Sequence, residues 1–276
     1  MMRVFTFRAK RGICRFRYIA LTILLSASSL VAQQPKAPSP EVVANAKKAR
    51  EVLERALQTL GGRAYLEVQD QYQQGRTNRF YRGSPSGVGA PFHRFWKAPD
   101  RERIEHFKKR EWIIIHNGDQ GFDTTYHGTR KEDAADLAEY IRRRDHSLDT
   151  LMRTWLSKPD LILIYEGLAF SDRKQADKVS LTRPGFHTVT VLIDTLTHLP
   201  LRTLYTFRDP DTREMVEEGE TFDNYKEVQG INTPHNIVRV RDGEMVRQYF
   251  VRSVQYNSNI PDSKFQATVT LGPKAR

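Results

Sequence analysis

The histidines, which are the most versatile groups for metal binding and proton transfer, are dispersed along this chain. There are eight of them, and none forms a His-x-His, His-x-x-x-His or His-Glu-x-x-His cluster. His116 and His127 flank an Asn-Gly hairpin, but no carboxylate stands at ligand spacing beside them. Zinc and similar ions need three or four ligands that converge. We therefore predict no metal site, and we expect these histidines to be surface or cross-strand residues.

Several aspartates occur in turns that contain glycine or proline. Carboxylates in such turns commonly cap backbone amides, and the distal glutamate of a calcium-binding loop is missing. Capping is therefore the predicted role. The residues concerned are Asp119, Asp123, Asp209 and Asp211.

Nucleophilic and nucleotide chemistry have no motif in this sequence. It contains no Gly-x-Ser-x-Gly elbow, no glycine-rich phosphate loop and no dinucleotide fingerprint. Its only cysteine, Cys14, precedes residue 32, so disulfides, cysteine-ligated zinc and cysteine nucleophiles are excluded from the rest of the chain. The sequence predicts a protein that is not an enzyme and carries no cofactor; an enzyme with an unrecognised site remains the alternative.

The formal charge of +11 comes in large part from one end of the chain. Residues 1–32 carry six basic side chains and no acidic one, which leaves 38 basic against 33 acidic residues beyond them. The basic runs Arg101–Arg110 and Arg142–Arg144 alternate with acids or share one helix face. Such runs are typical of solvated surfaces. No nucleic-acid partner is predicted.

The N-terminal segment has the order of a targeting signal. A basic stretch, Met1–Arg17, precedes the apolar stretch Tyr18–Ala32, which ends in small residues. Fifteen apolar residues are fewer than the roughly 20 that span a bilayer. We predict a secretory signal peptide over residues 1–32, and hence a periplasmic protein. An uncleaved N-terminal anchor is the alternative.

The remaining sequence predicts one helix, then strands, then a helical insertion. A leader over residues 33–39 ends at Ser39-Pro40, a helix start signal, and apolar residues at three- and four-residue steps continue to Gly61-Gly62. From Tyr65 the period is two, with hairpin signals at Asn117-Gly118 and Asp242-Gly243. Helical spacing returns over residues 131–157. Strands are predicted near 161–168, 177–183, 187–194, 200–208, 214–226, 231–241 and 244–256.

Large apolar side chains are abundant in these alternating strands, with 14 Phe, 11 Tyr and 3 Trp. A sheet with one apolar face must cover that face, because an open apolar surface is not tolerated in water. The predicted class is mainly β with helices (α+β), and the two helical segments are the cover. If the helices fill the concave face loosely, a ligand cavity remains; if tightly, the same residues form only a core.

The layout of the strands and turns resembles the periplasmic lipoprotein carriers of the LolA-like superfamily and the outer-membrane lipoprotein-sorting proteins. The resemblance covers residues 40–266 and rests on structural motifs. In the first half these are Lys97-Ala98-Pro99-Asp100 at a strand end, a strand with Arg103, and Asn117-Gly118-Asp119 followed by Phe122. In the second half they are Ile193-Asp194 with Leu199–Arg202, Phe222–Tyr225 with Gly230–Pro234, and Asn259–Phe265.

The resemblance implies an incomplete antiparallel β-barrel wrapped around an N-terminal helix and an inserted helical segment. It implies one domain over residues 40–266, with a C-terminal tail at 267–276. Proteins of this superfamily that carry lipoproteins hold acyl chains in the cavity of the half-barrel. We therefore expect a periplasmic carrier for a lipid, a lipoprotein acyl chain or another apolar envelope ligand. A scaffold with a closed core, which pairs its edge strands with an envelope membrane protein, is the alternative.

The residues predicted to contact the ligand lie on the apolar faces of the later strands and of the helical insertion. Alternation places the strand residues on one face, where they should converge with the helix residues. Aromatic and methionine side chains suit lipid because they offer large apolar area and adaptable shape. The same chemistry also builds packed cores, so the two interpretations remain open. The candidates are Tyr205, Phe207, Phe222, Phe250, Val254, Leu151, Met152 and Trp155.

Overall fold

The structure is a computed structural model that describes residues 38–107 and 111–272. The predicted signal peptide and residues 33–37 of the leader lie outside the described residues. The helices are α1 (Pro40–Leu60), α2 (Arg63–Leu66), α3 (Ala134–Asp145) and α4 (Leu148–Arg153), with single 3₁₀ turns at Trp155–Ser157 and Asp262–Phe265.

Fourteen strands form one antiparallel sheet in the order β7-β6-β5-β4-β3-β1-β14-β13-β12-β11-β10-β9-β8, with β2 paired to β1. The sheet is open, with β7 and β8 at its two ends. The strands are β1 (Asp70–Tyr81), β2 (Ser84–Pro85), β3 (Ala90–Lys97), β4 (Arg101–Phe107), β5 (Glu111–Asn117), β6 (Gln120–Thr125), β7 (Gly128–Lys131), β8 (Ile162–Ser171), β9 (Lys174–Thr182), β10 (Val189–Asp194), β11 (Pro200–Arg208), β12 (Met215–Val228), β13 (Ile231–Arg241) and β14 (Glu244–Tyr256).

The predicted start and end of the first helix are confirmed. The side chain of Ser39 accepts a hydrogen bond from the backbone N–H of Val42, and Pro40 occupies the first turn, where its missing N–H costs nothing. Gly61 ends the helix at φ 132°, a conformation that glycine adopts without strain. One further turn of helix, α2, follows before the strands begin, although the sequence pattern predicts alternation from Tyr65.

The predicted hairpins are also confirmed. β13 and β14 are joined by Asp242 and Gly243, whose φ angles are 50° and 78°. Two positive φ angles in a two-residue loop match the right-handed twist of the strands it connects. The turn at Asn117-Gly118 joins β5 to β6 in the same antiparallel manner.

The helical insertion is broken in the middle, where the sequence pattern predicts continuous helical spacing. α3 ends at Asp145, and Ser147 begins α4 by accepting a hydrogen bond from the N–H of Thr150. The break lets α3 and α4 cover different parts of the sheet. Within the described ranges, no helix combines the length and apolar character that crossing a bilayer requires.

Candidate functional site

The main core lies between the sheet and the helices α1 and α4. On α1 the buried residues are Ala49, Val52, Leu53, Ala56 and Leu60, at helical spacing along one face. They belong to one cluster with residues of α4 and of strands on both sides of β13. This part of the concave face is packed, as the tight interpretation of the sequence requires.

Seven of the eight predicted ligand-contacting residues meet in that cluster. Leu151, Met152 and Trp155 from the helical insertion are at most 1% exposed, and the strand residues among the seven are between 3 and 6% exposed. Alternation thus predicted their common face correctly. Their contact with a ligand remains a prediction. The strand residues are Tyr205, Phe207, Phe222 and Val254.

Phe250 is the eighth, and its predicted placement is wrong. Its side chain is 46% exposed, while its neighbours Tyr249 and Val251 are buried. The pairing of β14 with β1 shifts register between Gln74 and Gly75, so that Ser253 and Val251 are consecutive partners and Arg252 is bulged out. A bulge adds one residue to one strand and reverses the alternation beyond it. Val254 therefore points inward, whereas Phe250 does not share its face.

A cavity of about 210 Å³ opens on the concave face beside this core. It lies between the sheet and the helices α3 and α4, and its lining is amphipathic. Apolar side chains at one side include Leu60, Trp96 and Phe222, while Arg94 and Glu102 contribute charge. A site with such a lining favours a molecule that has both a polar and an apolar part.

A second cavity of about 260 Å³ adjoins the first. Both are lined by Arg143, Ser147, Glu220 and Arg239, which therefore stand between the two spaces. Tyr205 lines the second cavity, as Phe222 lines the first. The other six candidates line neither.

The helix α3 covers these cavities and is attached to the sheet almost entirely by polar contacts. Tyr140 is its one buried residue. The phenol ring of Tyr140 stacks on the imidazole of His116 in β5, and His116 Nε2 lies 2.8 Å from Glu132 Oε2. His116 is 3% exposed and lies opposite Glu102 of β4. Of the two expected placements, surface or cross-strand, it has the cross-strand one, and it anchors the cover.

The run Arg142–Arg144 on α3 is not the solvated face that the sequence pattern indicates. The three side chains are 17, 25 and 21% exposed. The guanidinium of Arg142 lies 3.7 Å from the ring centroid of Phe207, and its Nε is 3.7 Å from Glu218 Oε2. Arg144 donates to the backbone carbonyl of Gly118. The sequence shows that this run is charged, but it does not show which acidic residues the sheet places opposite the run. Contacts with those acidic residues hold the arginine side chains toward the sheet.

Buried ion pairs line the polar side of the first cavity. Arg94 Nε donates to Glu102 Oε1 at 2.5 Å, and Arg94 also contacts the side-chain oxygen of Gln73. Burial alone would raise the pKa of Glu102, but the charges of Arg94 and His116 hold that pKa below its ordinary value. The carboxylate therefore stays ionised and paired. Such a pair supports a fixed polar wall rather than acid–base chemistry.

His146 connects the end of α3 to the second cavity. Its Nδ1 lies 2.6 Å from the carbonyl oxygen of Arg142, and its Nε2 accepts the backbone N–H of His187 at 3.1 Å. The ring stacks on Tyr205. Burial lowers the pKa of His146, so the ring is neutral, with the proton on Nδ1. Among the described residues, no group of three or more histidine, cysteine, aspartate or glutamate side chains could hold a metal ion.

Solved structures share this fold, although no family model matches the chain and no curated protein matches it. A DUF1329 family protein from Desulfovibrio piger is 15% identical, with a TM-score of 0.56, over 80% of this chain and 97% of that one. An outer membrane lipoprotein-sorting protein domain from Vibrio parahaemolyticus is 10% identical, with a TM-score of 0.50, over 80% and 97% of the two chains. A LolA superfamily protein from Nitrosomonas europaea is 11% identical, with a TM-score of 0.48, over 79% and 97%. The first two likenesses show the fold, and the predicted LolA-like half-barrel is confirmed.

Proposed function

We propose that this chain is an envelope protein that binds and carries an amphiphile, either a free lipid or the lipid of an acylated protein, on the concave face of its sheet. The observation that carries the proposal is the pair of adjoining cavities beneath α3, whose walls are apolar on the core side and charged beneath the helix. Such walls complement an amphiphile, in which an apolar chain ends in a polar group. The LolA-like fold and the predicted signal peptide support an envelope location.

The sizes of the cavities indicate how a long ligand would enter. Each is smaller than the roughly 300–1,000 Å³ of ordinary small-molecule sites, at about 210 and 260 Å³. An acyl chain would have to join them by moving the side chains between them, chiefly Arg143 of α3. Each buried CH₂ of that chain would contribute about 0.8 kcal/mol.

The helix α3 is attached to the sheet by fewer buried apolar side chains than α4. The helix buries one side chain, Tyr140, against the sheet. Its other docking contacts are made by charged side chains: the guanidinium of Arg142 lies over the ring of Phe207 and near Glu218, and Arg144 donates to the carbonyl of Gly118. By contrast, α4 buries Leu148, Leu151 and Met152. In this proposal α3 is the movable cover and α4 belongs to the fixed core.

Binding without catalysis is the function that these walls support. The charged groups of the first cavity are held in pairs, such as Arg94 with Glu102 and Arg153 with Asp149. The structural neighbour from Vibrio parahaemolyticus is an outer membrane lipoprotein-sorting protein domain. For the present chain, that activity is a proposal.

Native mass spectrometry of protein purified from the envelope tests this function. We expect a bound amphiphile at one copy per chain. Ile237→Trp, which fills the first cavity, should remove it, whereas Met215→Trp should not, because Met215 is 60% exposed and lies outside both cavities. An empty wild-type protein that also fails to bind added laurate would contradict the proposal.

One surface favours the alternative of an assembly partner. The end strand β8 exposes a stripe of alternate apolar side chains: Ile162, Ile164, Leu168 and Phe170 are between 48 and 74% exposed. Exposed apolar edge strands commonly pair with another chain. Under this alternative, Phe170→Glu should abolish a specific envelope complex detected by in vivo crosslinking and leave laurate binding unchanged. If Phe170→Glu leaves every crosslink intact, the alternative fails.

A further inference from the structure

Three arginines lie side by side on neighbouring strands, and one of them, Arg239, lines both cavities. Arg247 of β14 is the direct cross-strand partner of Arg79 in β1 and of Arg239 in β13. Like charges at directly opposite positions destabilise a sheet. In this row Arg239 is paired, through its Nε, with Glu220 Oε1 at 3.2 Å. The row as a whole concentrates positive charge at one place on the sheet.

A fourth arginine reaches the same region from the cover. Arg143 of α3 lines both cavities together with Arg239. Arg143 pairs with Glu139 of its own helix, but its buried Nε has no hydrogen-bond partner within residues 38–107 and 111–272. Burial and the nearby charge of Arg239 lower the pKa of Arg143. Arg143 therefore has one N–H donor, on Nε, that a ligand between the two cavities could use.

Tyr249 lies among these arginines. Its hydroxyl accepts a hydrogen bond from Arg247 at 3.2 Å, and the guanidinium of Arg239 is 5.2 Å from its ring centroid. Burial alone would raise the pKa of Tyr249, but Arg239, Arg247 and Arg143 lower it below its ordinary value. Tyr249 also lines the first cavity, so the arginines around it are close to that space.

We propose that Arg143, Arg239 and Arg247 form an anion-binding site around Tyr249, and that the site takes a carboxylate or phosphate group. Guanidinium groups hold such planar or tetrahedral anions through paired charge-assisted hydrogen bonds. An anion here would offset the like charges of the row and accept from the free Nε of Arg143.

The site also defines which amphiphile the protein prefers, and this part rests on the proposed function. The anion would lie at the charged end of the first cavity, so the apolar tail would extend toward Phe222 and Trp96. The ligand is then an anionic amphiphile, a fatty acid or a phospholipid, rather than a neutral one. A free inorganic anion shares the same head-group chemistry and must be distinguished from it.

Competition against a neutral fluorescent probe, N-phenyl-1-naphthylamine, separates these possibilities. The competitors are laurate, dodecanol and inorganic phosphate. Each is tested on the wild-type protein and on the variants Arg239→Gln and Arg247→Gln. Arg252→Gln is the matched control, since Arg252 is an exposed arginine of the same strand. Melting curves identify variants that fail to fold. Arg247→Gln keeps the test decisive if loss of the Arg239–Glu220 pair unfolds the first variant.

We expect laurate to compete at least about tenfold more strongly than dodecanol, because a hydrogen bond to a charged group contributes about 1.5–3 kcal/mol. Arg239→Gln and Arg247→Gln should remove that preference, and Arg252→Gln should retain it.

Equal binding of laurate and dodecanol would overturn the anion site and leave the carrier function standing. If isothermal titration calorimetry detects phosphate in the wild type but not in Arg247→Gln, and neither amphiphile binds, the site stands and the carrier function fails. If calorimetry and competition detect no binding of any of the three, both fail.

Discussion

The imidazole of His116 lies almost flat on the phenol ring of Tyr140, with ring centroids 3.4 Å apart and an interplanar angle of 6°. This contact joins the strand β5 to the middle of α3. Because Tyr140 is the one buried side chain of the helix, the stack is the main apolar contact that holds the cover down.

Replacing Tyr140 should therefore loosen α3 without unfolding the sheet. We expect Tyr140→Ala to cost up to about 3 kcal/mol of stability and to accelerate hydrogen exchange at the amides of residues 134–145. The control is Tyr81→Ala, whose side chain is 68% exposed and which should change neither quantity. Unchanged exchange across α3 in Tyr140→Ala would show that other contacts hold the cover.

A pair of phenylalanines distinguishes packed core from open cavity. Phe207 is 3% exposed and Phe250 is 46% exposed. We expect Phe207→Ala to lower the free energy of unfolding by about 3–5 kcal/mol and Phe250→Ala by less than about 1 kcal/mol, measured by urea denaturation. A small loss for Phe207→Ala would place that residue at the wall of an open space and restore the loose interpretation of the core.

These two residues also show how far sequence patterns reach. Alternation predicted the buried face of β11, with Tyr205 and Phe207, because no register shift interrupts the pairing around these two residues. It failed at Phe250 because the bulge at Arg252 depends on how β14 meets β1, two strands that are far apart in the chain. The half-barrel fold followed from local signals and from a family resemblance.

The polar part of the candidate site could not be predicted in the same way. Arg143 belongs to a charged run on an amphipathic helix, a pattern that usually faces solvent. Its burial arises from cavities that form only when β13, β14 and α3 assemble. Arg239 and Arg247 lie in separate strands, and the strand register that places them opposite each other is a property of the fold. The helix break at Ser147 was likewise not predicted, although serine is a preferred N-cap residue.

The bulge itself depends on a close approach between two backbones. Gly75 of β1 faces Phe250, and a Cβ at position 75 would overlap the backbone carbonyl oxygen of Phe250. Gly75→Ala should thus destabilise the protein by about 1–3 kcal/mol, seen as a lower melting temperature. Gly272→Ala is the control, because no atom lies within 4 Å of its Cβ position. Equal melting temperatures for Gly75→Ala and wild type would disprove this account of the bulge.

His146 makes stability depend on pH in mildly acidic solution. Its pKa in the folded protein is lowered by burial, while the unfolded chain has the ordinary value of about 6.5. Below that value the unfolded state binds the proton more readily than the folded state does. The contribution of His146 to the free energy of unfolding is therefore complete above about pH 6.5 and decreases as the pH falls. We expect a slope of at most about 1.4 kcal/mol per pH unit for this group, reduced in His146→Gln. The same slope in variant and wild type would assign the effect to other groups, such as His187, whose pKa burial also lowers.

If an amphiphile binds beneath α3, hydrogen exchange measured with and without saturating laurate locates the binding directly. We expect altered exchange at residues 134–145 and in β12, β13 and β14, with none along the end strand β8. The Ile237→Trp variant should show no laurate-dependent change. A wild-type pattern that laurate leaves unaltered, or alters only along β8, would contradict binding beneath α3.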